Sequence, residues 1–389
     1  MLCVYEDEGS AGFGPLTDLR PVFDLRCGRR TLLEKLRRLF PREKATLWVR
    51  EELAEVTAEA HPDCSVNSPV DSPCLFVSGR AILRNRLPLT GAETAFTCSG
   101  RVVAFRLNKP RDWRPGALGR VQLDLPGQPI DAILLSHPWD IVELTPAELA
   151  LELKPGKSRV KLPARVTLVG PATRLSLARD ARVWPGVVIS TESGPVGIEP
   201  RVEIRPGSFI EGPCCIGSGT VIDDARVRPG CSFGPDCRIG GEVEASVFQG
   251  FANKHHDGFI GHSFIGEWVN LGALTTCSDL KNAYEPVTVS INGRSINTGL
   301  LKVGCFVGDH VKTAIGTLLN TGAVVGTAAN WFEPGLSPKQ VPAFAWGRSE
   351  RWPIDAVVKS ARQVMSRRGC ELTPALERLL RRLFAHSGR

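Results

Sequence analysis

Four of the seven histidines lie close together in the chain, between residues 255 and 310. A histidine can act as a general base, because imidazole changes its charge near neutral pH. Zinc chemistry is the alternative and requires three imidazoles around one metal. His256 and His262 can supply two of these ligands, but no histidine lies between His137 and His255 to supply the third from an upstream position. His310 can serve as the third ligand only if the register of the coils brings it to the same point. Acid–base chemistry is therefore the favoured interpretation.

Glycines and arginines cluster near the start of the chain, in the segment EDEGSAGFGPLTDLRPVFDLRCGRR at residues 6–30. A glycine-rich loop that opens toward a helix can hold phosphates with its backbone N–H groups, and arginines add fixed positive charge. The alternative is a turn followed by an ordinary helix with exposed arginines. We expect nucleotide phosphates to be bound by Gly12, Gly14, Arg20 and Arg26.

The histidine-rich region lies within a six-residue repeat. Its aliphatic positions are occupied by Ile198, Ile204, Ile210, Ile216 and Ile222. Each hexamer forms one flat side of a triangular coil, and its aliphatic residue points to the axis, so that stacked coils bury a continuous ladder. The spacing predicts a left-handed parallel β-helix over residues 181–347.

Two stretches interrupt the repeat, at residues 244–262 and 277–300. Loops that leave a solenoid usually carry its function. His256 lies in the first of them, which supports a catalytic role. We expect His255, His262 and His310 to be surface or turn residues.

The region before the repeat alternates strands with helices. Strand-like words such as LCVY, ATLWV, CLFVSG and AILLS are separated by helical words such as TLLEKLRRLF and REELAEVTAEA. This alternation predicts a Rossmann-like α/β domain with a mostly parallel sheet, whose ligands bind beyond the carboxyl ends of the strands. We assign residues 1–145 to this domain, 146–180 to a linker and 348–389 to a basic helical tail.

Composition excludes several classes of protein. The net charge is +7, and ten basic against four acidic residues place +6 of it in the tail. A charged face on a terminal helix is usually solvated, so we expect no nucleic-acid partner. No apolar run is long enough to span a membrane, and the twelve cysteines form no CxxC pair, so we expect a cytoplasmic protein with reduced thiols.

The segment NKHHDGFIGHSFIGEWVNLGALTTCSDLKN at residues 253–282 carries a resemblance to a known family. It resembles the acetyltransferase half of the bifunctional enzymes that make UDP-N-acetylglucosamine, in particular their alternative bacterial form. The sequence segments at residues 299–326 and 341–347 support the same resemblance. The resemblance implies a homotrimer that binds acetyl-CoA and an amino sugar phosphate between neighbouring chains.

The same resemblance suggests individual site residues. His256 stands three residues before Phe259-Ile260-Gly261, where the family has a histidine before an aromatic-aliphatic-glycine corner, so it implies the base. Asn270 matches an asparagine that binds the acceptor, and Lys254 can meet the sugar phosphate. Ser278 stands where the family continues with Asn-Tyr-Asp, and the resemblance assigns it to the acceptor and acetyl-CoA site. Asn270 can alternatively be a simple corner residue.

The start of the first half, PLTDLRPVFDLRCG, is similar to the nucleotidyltransferase half of that family and implies UTP and Mg²⁺ as ligands. A Gly-x-Gly-Thr-Arg loop is missing, and Gly79-Arg80 stands where a metal-binding aspartate is usual. Mg²⁺ requires carboxylate oxygens beside the phosphates. Asp140 is the best remaining candidate and Asp7 the second, although Asp140 can instead cap the helix that follows.

The predicted function is bifunctional. The second half would acetylate glucosamine 1-phosphate with acetyl-CoA. The first half would transfer uridylyl from UTP to the acetylated sugar phosphate and release pyrophosphate. Two alternatives remain open: an acyltransferase whose first half only binds a nucleotide sugar, and a regulatory trimer without catalysis.

Overall fold

The first domain is built around a seven-stranded sheet. The structure is a computed structural model that describes residues 1–70, 72–109, 124–154 and 162–387. The buried strand Leu2–Tyr5 lies near the middle of the sheet and pairs in parallel with a neighbour on each side. In spatial order the strands are Gly127–Pro129, Thr94–Cys98, Arg101–Leu107, Cys74–Ser78, Leu2–Tyr5, Ala45–Trp48 and Ser65–Val66.

Only Arg101–Leu107 runs antiparallel to its neighbours in this sheet, so the predicted mostly parallel α/β domain is confirmed. Helix α1 (Leu32–Leu39) begins with a capping box between Thr31 and Glu34. The remaining elements of the domain are α2 (Ala54–Ala60), α3 (Pro138–Glu152), the antiparallel pairs Ala81–Leu83 with Ala132–Leu134 and Arg26–Cys27 with Arg30–Thr31, and the 3₁₀ helices Glu8–Phe13, Val22–Asp24 and Glu51–Leu53.

The second half is a parallel β-solenoid, as the repeat predicts. Its strands stack in parallel on three faces, apart from Glu350–Arg351, which pairs antiparallel with Ala345–Trp346. Two long strands, Val221–Val227 and Arg238–Glu244, turn the corner from the second face to the third. The first face holds Leu175–Leu177, Val196–Ile198, Cys214–Ile216, Cys231–Phe233, Val247–Phe248, Phe264–Ile265, Phe306–Val307, Val324–Val325 and Gln340–Val341. The second face holds Arg182–Val183, Glu203–Ile204, Asn253–Lys254, Lys312–Thr313, Asn330–Trp331, Ala345–Trp346 and Glu350–Arg351. The third face holds Thr167–Val169, Val188–Ser190, Phe209–Glu211, Phe259–Gly261, Thr276–Cys277 and Leu318–Leu319.

The isoleucine ladder forms the solenoid core. Ile204 stacks on Ile222 and Ile198 on Ile216 in neighbouring coils, and all five isoleucines of the repeat are buried. Cys214, Cys231 and Cys237 fill the same interior as small apolar residues. No single coil could bury these side chains alone, so the stack is the unit of stability.

The solenoid begins earlier than the predicted boundary at residue 181. Thr167–Val169 and Leu175–Leu177 already pair with strands of the following coil, although they lie in the predicted linker 146–180. The start of that linker belongs to α3, which continues to Glu152. Its Pro/Gly/Lys stretch falls on residues 155–161, outside the described residues.

The predicted tail helices are α4 (Ile354–Ser366) and α5 (Pro374–His386). They pack against the solenoid end and also against α2 of the first domain, where Arg378 pairs with Glu55. A hairpin, Thr288–Ile291 with Arg294–Asn297, projects from the second interruption of the repeat. None of the helices within the described ranges has the length and apolar character that a membrane crossing requires.

The first domain is docked on the first face of the solenoid, and the two share one apolar core. Trp139 from α3 meets Phe306 of the solenoid with their rings 6.0 Å apart. Gln249 donates to the carbonyl of Asp24 at 2.7 Å and accepts from the Arg26 N–H. The loop that was predicted to bind phosphates therefore lies at this interface.

Candidate active sites

Asp7 follows the first strand, at the sheet edge where a ligand was expected, but its carboxylate already has protein partners. It accepts hydrogen bonds from the Gly9 N–H at 3.0 Å and the Ser78 hydroxyl at 2.7 Å. Arg80 completes the set, with its Nε 2.6 Å from the carboxylate and another guanidinium nitrogen donating to the Leu135 carbonyl. The position where the family has a metal-binding aspartate thus supplies a positive charge that neutralises Asp7.

The glycines of the predicted phosphate loop are packed against the chain itself. A Cβ atom on Gly12 would lie 2.5 Å from the backbone oxygen of Ser136, and one on Gly14 would lie 3.3 Å from the Asn292 side chain. Asn292, at the tip of the solenoid hairpin, also donates to the carbonyl of Ala11 at 2.8 Å. The small size of these glycines is therefore used in docking the loop on its neighbours, in place of the predicted open cradle.

Arg20 belongs to a buried ion cluster at the interface. Its guanidinium lies 2.6 Å from Asp309 and 2.9 Å from Glu267, both in the solenoid. Burial disfavours the charge, but the two carboxylates outweigh it and raise the pKa of Arg20 above its ordinary value. Burial also raises the pKa of Asp309, which Arg20 opposes. This arrangement corrects the prediction that Arg20 contacts a triphosphate.

Arg26 lies at the edge of an open cleft of about 720 Å³ between α1 and the solenoid. Its backbone N–H donates to Gln249, and its side chain donates to the carbonyl of Arg29. Arg29 in turn pairs with Glu199 of the solenoid at 2.7 Å. The predicted phosphate ligands are therefore divided, since Arg26 faces this cleft while Arg20 lies in the buried ion cluster.

Asp140 caps helix α3, which was the alternative to a metal site. Its carboxylate accepts from the N–H groups of Ser136 at 2.7 Å and His137 at 3.0 Å. With Asp7 held by Arg80, neither predicted carboxylate fits a Mg²⁺ site in this arrangement. Among the residues that the structure describes, no group of three histidine, cysteine or acidic side chains is placed to hold a metal ion.

His256 is exposed at a corner of the solenoid, between the second and third faces. Its ring lies edge-on to His255, 5.1 Å away, and His255 approaches Asp223 at 3.4 Å. Burial lowers the pKa of His255. His256 is therefore the more accessible imidazole of the pair, as a base that meets a substrate must be.

Lys254 does not reach the surface where a sugar phosphate would bind. Only 2% of the residue is exposed, and its ammonium donates to the carbonyls of Gly240 at 2.7 Å and His256 at 3.0 Å. Burial lowers the pKa of Lys254 to about 8. The structure therefore corrects the phosphate contact: Lys254 fixes the backbone of the His256 corner from inside.

Asn270 and Ser278 both lie on the coil that follows the His256 coil. Asn253 donates to the side-chain oxygen of Asn270 at 2.6 Å, which leaves the Asn270 amide on the half-exposed second face. The Ser278 hydroxyl is 2.7 Å from that of Thr321 and donates to the carbonyl of Leu280. Within the described part of the chain no hydrogen bond uses the Asn270 amide, so it can donate to a ligand, whereas Ser278 forms the base of the hairpin loop.

A histidine–aspartate pair, missed in the sequence, lies at the next corner of the His256 coil. His262 Nδ1 is 2.8 Å from Asp279 Oδ2, and each side chain is 13% exposed. A carboxylate in this position fixes the tautomer and orientation of an imidazole. His262 is therefore an oriented imidazole, which corrects its interpretation as a simple turn residue. The 17-residue separation, one coil length, was a usable signal.

His310 is not a surface residue either. Only 2% of it is exposed, and burial lowers its pKa to about 3, so that it is neutral beside Trp268. It cannot join His256 and His262, which occupy other corners, around one zinc ion. The zinc alternative therefore finds no set of three histidines within the described ranges.

Comparisons with known proteins give one family match and several relatives of the bifunctional kind. Residues 2–157 match the model of a sugar nucleotidyl transferase family. A bifunctional sugar-1-phosphate nucleotidylyltransferase/acetyltransferase from Sulfurisphaera tokodaii is 36% identical over 173 residues, which is 40% of this chain and 42% of the relative. The bifunctional protein GlmU of Jannaschia sp. is 30% identical over 191 residues, which is 45% of this chain and 41% of that protein.

A third relative, the GlmU protein of Kineococcus radiotolerans, is 27% identical over 274 residues, covering 62% of this chain and 52% of its own length. The chain thus spans about half the length of the curated relatives that it matches. A hexapeptide transferase family protein from Anaplasma phagocytophilum aligns with 56% of this chain and 95% of its own at 15% identity, but with a TM-score of only 0.22. The fold assignment rests on the strand pairing, and the sequence matches confirm the resemblance to the bifunctional family.

Proposed function

We propose that the solenoid acetylates an amino sugar phosphate, glucosamine 1-phosphate or a close analogue, with acetyl-CoA. The exposed His256 is the observation that carries this proposal. It lies at a corner of the same coil as Asn253, and the Asn253 side-chain amide donates a hydrogen bond to Asn270. The named activities of the relatives support the reaction class. In this proposal Asn270 binds the acceptor with its free donor.

The chemistry requires one proton acceptor and one leaving group. The sugar amine attacks the thioester carbonyl, a C–N bond forms, and the C–S bond breaks to release the CoA thiolate. His256 accepts the proton that the amine loses. Lys254 holds the backbone of this corner through the His256 carbonyl, so the imidazole starts from a fixed position.

Replacing His256 tests this assignment. We expect His256→Ala to lower acetyl transfer to glucosamine 1-phosphate by ~10²–10⁴-fold, the usual loss for a general base. The release of free CoA thiol measures the rate. His255→Ala is the matched control, because it removes the neighbouring imidazole and should retain most of the activity. Equal rates for wild type and His256→Ala would contradict the role of His256.

For the first domain we propose uridylyl transfer from UTP to the acetylated sugar phosphate, supported by the family match over residues 2–157. The Asp7–Arg80 pair is the observation that favours the alternative, a first domain that binds nucleotide sugar without catalysis.

We expect purified protein with UTP, Mg²⁺ and N-acetylglucosamine 1-phosphate to release pyrophosphate above a blank. A coupled phosphate assay measures the release. Binding of UDP-N-acetylglucosamine without pyrophosphate would establish the non-catalytic alternative. If the wild type also showed no acetyl transfer above a blank, so that His256→Ala changed nothing catalytic, the regulatory trimer would be the better interpretation.

We propose that the chain assembles as a homotrimer through its solenoid. Large apolar side chains are exposed in a column below His256: Leu274 is 55% exposed, Ile315 76% and Phe332 42%. Apolar side chains that line up on one edge usually mark an interface. We expect wild type to have the mass of three chains by light scattering, and Ile315→Asp to give single chains. A monomeric wild type would contradict the proposal.

A further inference from the structure

The His262–Asp279 pair is built into the solenoid with close supporting contacts. The Phe259 ring lies over Gly261, and a Cβ atom on that glycine would lie 2.7 Å from Asp279 Oδ2. The absence of a side chain at Gly261 therefore lets the aromatic ring and the carboxylate meet beside His262. The Val303 N–H donates to the carbonyl of Asp279 at 2.8 Å and fixes the aspartate backbone.

The second ring nitrogen of His262 is available. Nδ1 faces Asp279. Within the described part of the chain Nε2 takes part in no hydrogen bond, and it is not one of the fully buried side-chain atoms that lack a partner. An imidazole held by a carboxylate at one nitrogen and open at the other has the arrangement of a proton-transfer group. Lys302, next to Val303, places a half-exposed ammonium near the same corner.

His262 and His256 lie at different corners of the same coil. They lie at opposite ends of the strand Phe259–Gly261, six residues apart. An extended segment of that length spans up to ~20 Å, whereas a proton donor and acceptor must both lie within hydrogen-bond reach of the reacting atoms. If both histidines act on one substrate, they come from different chains.

The trimer of the proposed function supplies that arrangement. A cyclic trimer uses heterologous contacts, in which one surface of a chain meets a different surface of the next. The His256 corner carries the exposed column Leu274, Ile315 and Phe332. The His262 corner carries exposed apolar side chains of the hairpin loop, with Tyr284 71% and Leu301 49% exposed. Two different apolar patches at the two histidine corners are what such a contact requires.

We propose that His262, oriented by Asp279, is a second proton-transfer residue for acetyl transfer, and that it acts opposite the His256 of a neighbouring copy of the chain. The inference rests on the proposed function of the solenoid. As the C–S bond breaks, the His262 imidazolium donates its Nε2 proton to the CoA thiolate. His256 takes the amine proton, so one proton is accepted and one donated per turnover. Asp279 is a positioning residue that stabilises the imidazolium.

Single variants test the chemical role. We expect His262→Ala to lower kcat by ~10²–10⁴-fold while the trimer mass and melting temperature stay unchanged. Added imidazole should restore part of this rate, because it can occupy the vacated space and supply the proton. Asp279→Asn should lower kcat with little change in KM, and imidazole should not restore it, because the side chain of His262 still fills the site. Asp279→Glu should recover part of the loss.

Mixed trimers test the shared site. His256→Ala and His262→Ala chains carrying different tags are co-expressed, and trimers that contain both tags are purified. In a cyclic trimer that contains both kinds of chain, one groove of the three, or about a third, combines an intact His256 corner with an intact His262 corner. We expect about that share of the wild-type rate to return. The control is the double variant His256→Ala/His262→Ala co-expressed with His256→Ala, which can form no intact groove.

The outcomes separate the inference from the proposed function. A wild type that acetylates no amino sugar phosphate would overturn the proposed function and the inference with it. An active wild type with an equally active His262→Ala would overturn the inference alone. Two inactive single variants whose mixed trimers stay inactive would overturn the sharing of the site between chains.

Discussion

Replacing Arg20 by methionine is expected to lower the free energy of unfolding by ~3–5 kcal/mol, the usual cost of removing one partner of a buried ion pair. The reason lies in the carboxylates that remain. Asp309 is 2% exposed, and Glu267 pairs with the same guanidinium at 2.9 Å. Without Arg20 the two acidic side chains face each other at the interface between the first domain and the solenoid. The midpoint of urea unfolding, monitored by tryptophan fluorescence, measures the loss.

Two matched variants show whether burial causes the effect. Arg29→Met removes a more exposed pair with Glu199, so it should cost less than about 1 kcal/mol. Adding Asp309→Asn to Arg20→Met should recover much of the stability, because the uncompensated charge is removed. If Arg20→Met stayed as stable as wild type but lost UTP binding, the phosphate role predicted from the sequence would be correct and the structural role wrong.

The sequence predicted the fold well because its signals are periodic. The six-residue spacing of isoleucines identifies the solenoid without any contact information, since a ladder at that step has one packing solution. Alternating strands and helices likewise predicted the sheet of the first domain. The start of the solenoid was placed too late, because Thr167–Val169 precedes the region where the hexamers become regular.

The candidate sites were less predictable, because residue type does not reveal a partner far away in sequence. Arg20 was assigned to a phosphate, yet its partners lie 247 and 289 residues downstream. Lys254 was assigned to a surface contact, yet its side chain turns inward. The contacts of Arg20 depend on how the first domain docks on the solenoid, and no local sequence pattern encodes that docking.

One signal in the sequence was available but not used. Once a coil length is known, residues about 17 positions apart are neighbours on successive coils, so polar pairs at that spacing can be read from the sequence. The hydrogen-bonded pairs at this spacing include Ser246 with Ser263, Asn253 with Asn270, Phe259 with Thr276 and His262 with Asp279. Restricted to carboxylate partners, the same rule would have selected His262 over the other turn histidines.

The docking of the first domain is also expected to depend on pH through Asp18. Its carboxylate accepts a hydrogen bond from Thr327 of the solenoid at 2.7 Å. Burial, the largest influence, raises the pKa of Asp18 to about 6; nearby Asp309 also raises it, while Thr327 and Arg50 oppose the shift. In the unfolded chain the group returns to its ordinary value near 3.8. Between pH 3.8 and about pH 6, Asp18 is therefore protonated in the folded state and ionised in the unfolded state.

The sign of the effect follows from this difference. A raised folded-state pKa in a carboxyl group adds stability while the group is protonated, and that stability falls as pH rises from about 4 to about 6. Since one pKa unit corresponds to about 1.4 kcal/mol, the ionised Asp18 costs up to about 3 kcal/mol above that range. Asp18→Asn keeps an oxygen that can accept from Thr327 and has no charge to lose.

We therefore expect Asp18→Asn to be more stable than wild type at pH 7.5 and to lose that advantage at pH 4. Urea unfolding of both proteins at half-unit pH steps measures the difference, and the comparison cancels groups that the two share, such as the buried Glu6 and the Asp24–His61 pair. Thr327→Val is the complementary variant. It removes the donor that favours ionised Asp18, so it should move the pH at which stability falls further upward. A constant difference between Asp18→Asn and wild type from pH 4 to 7.5 would show that Asp18 is already ionised in the docked state.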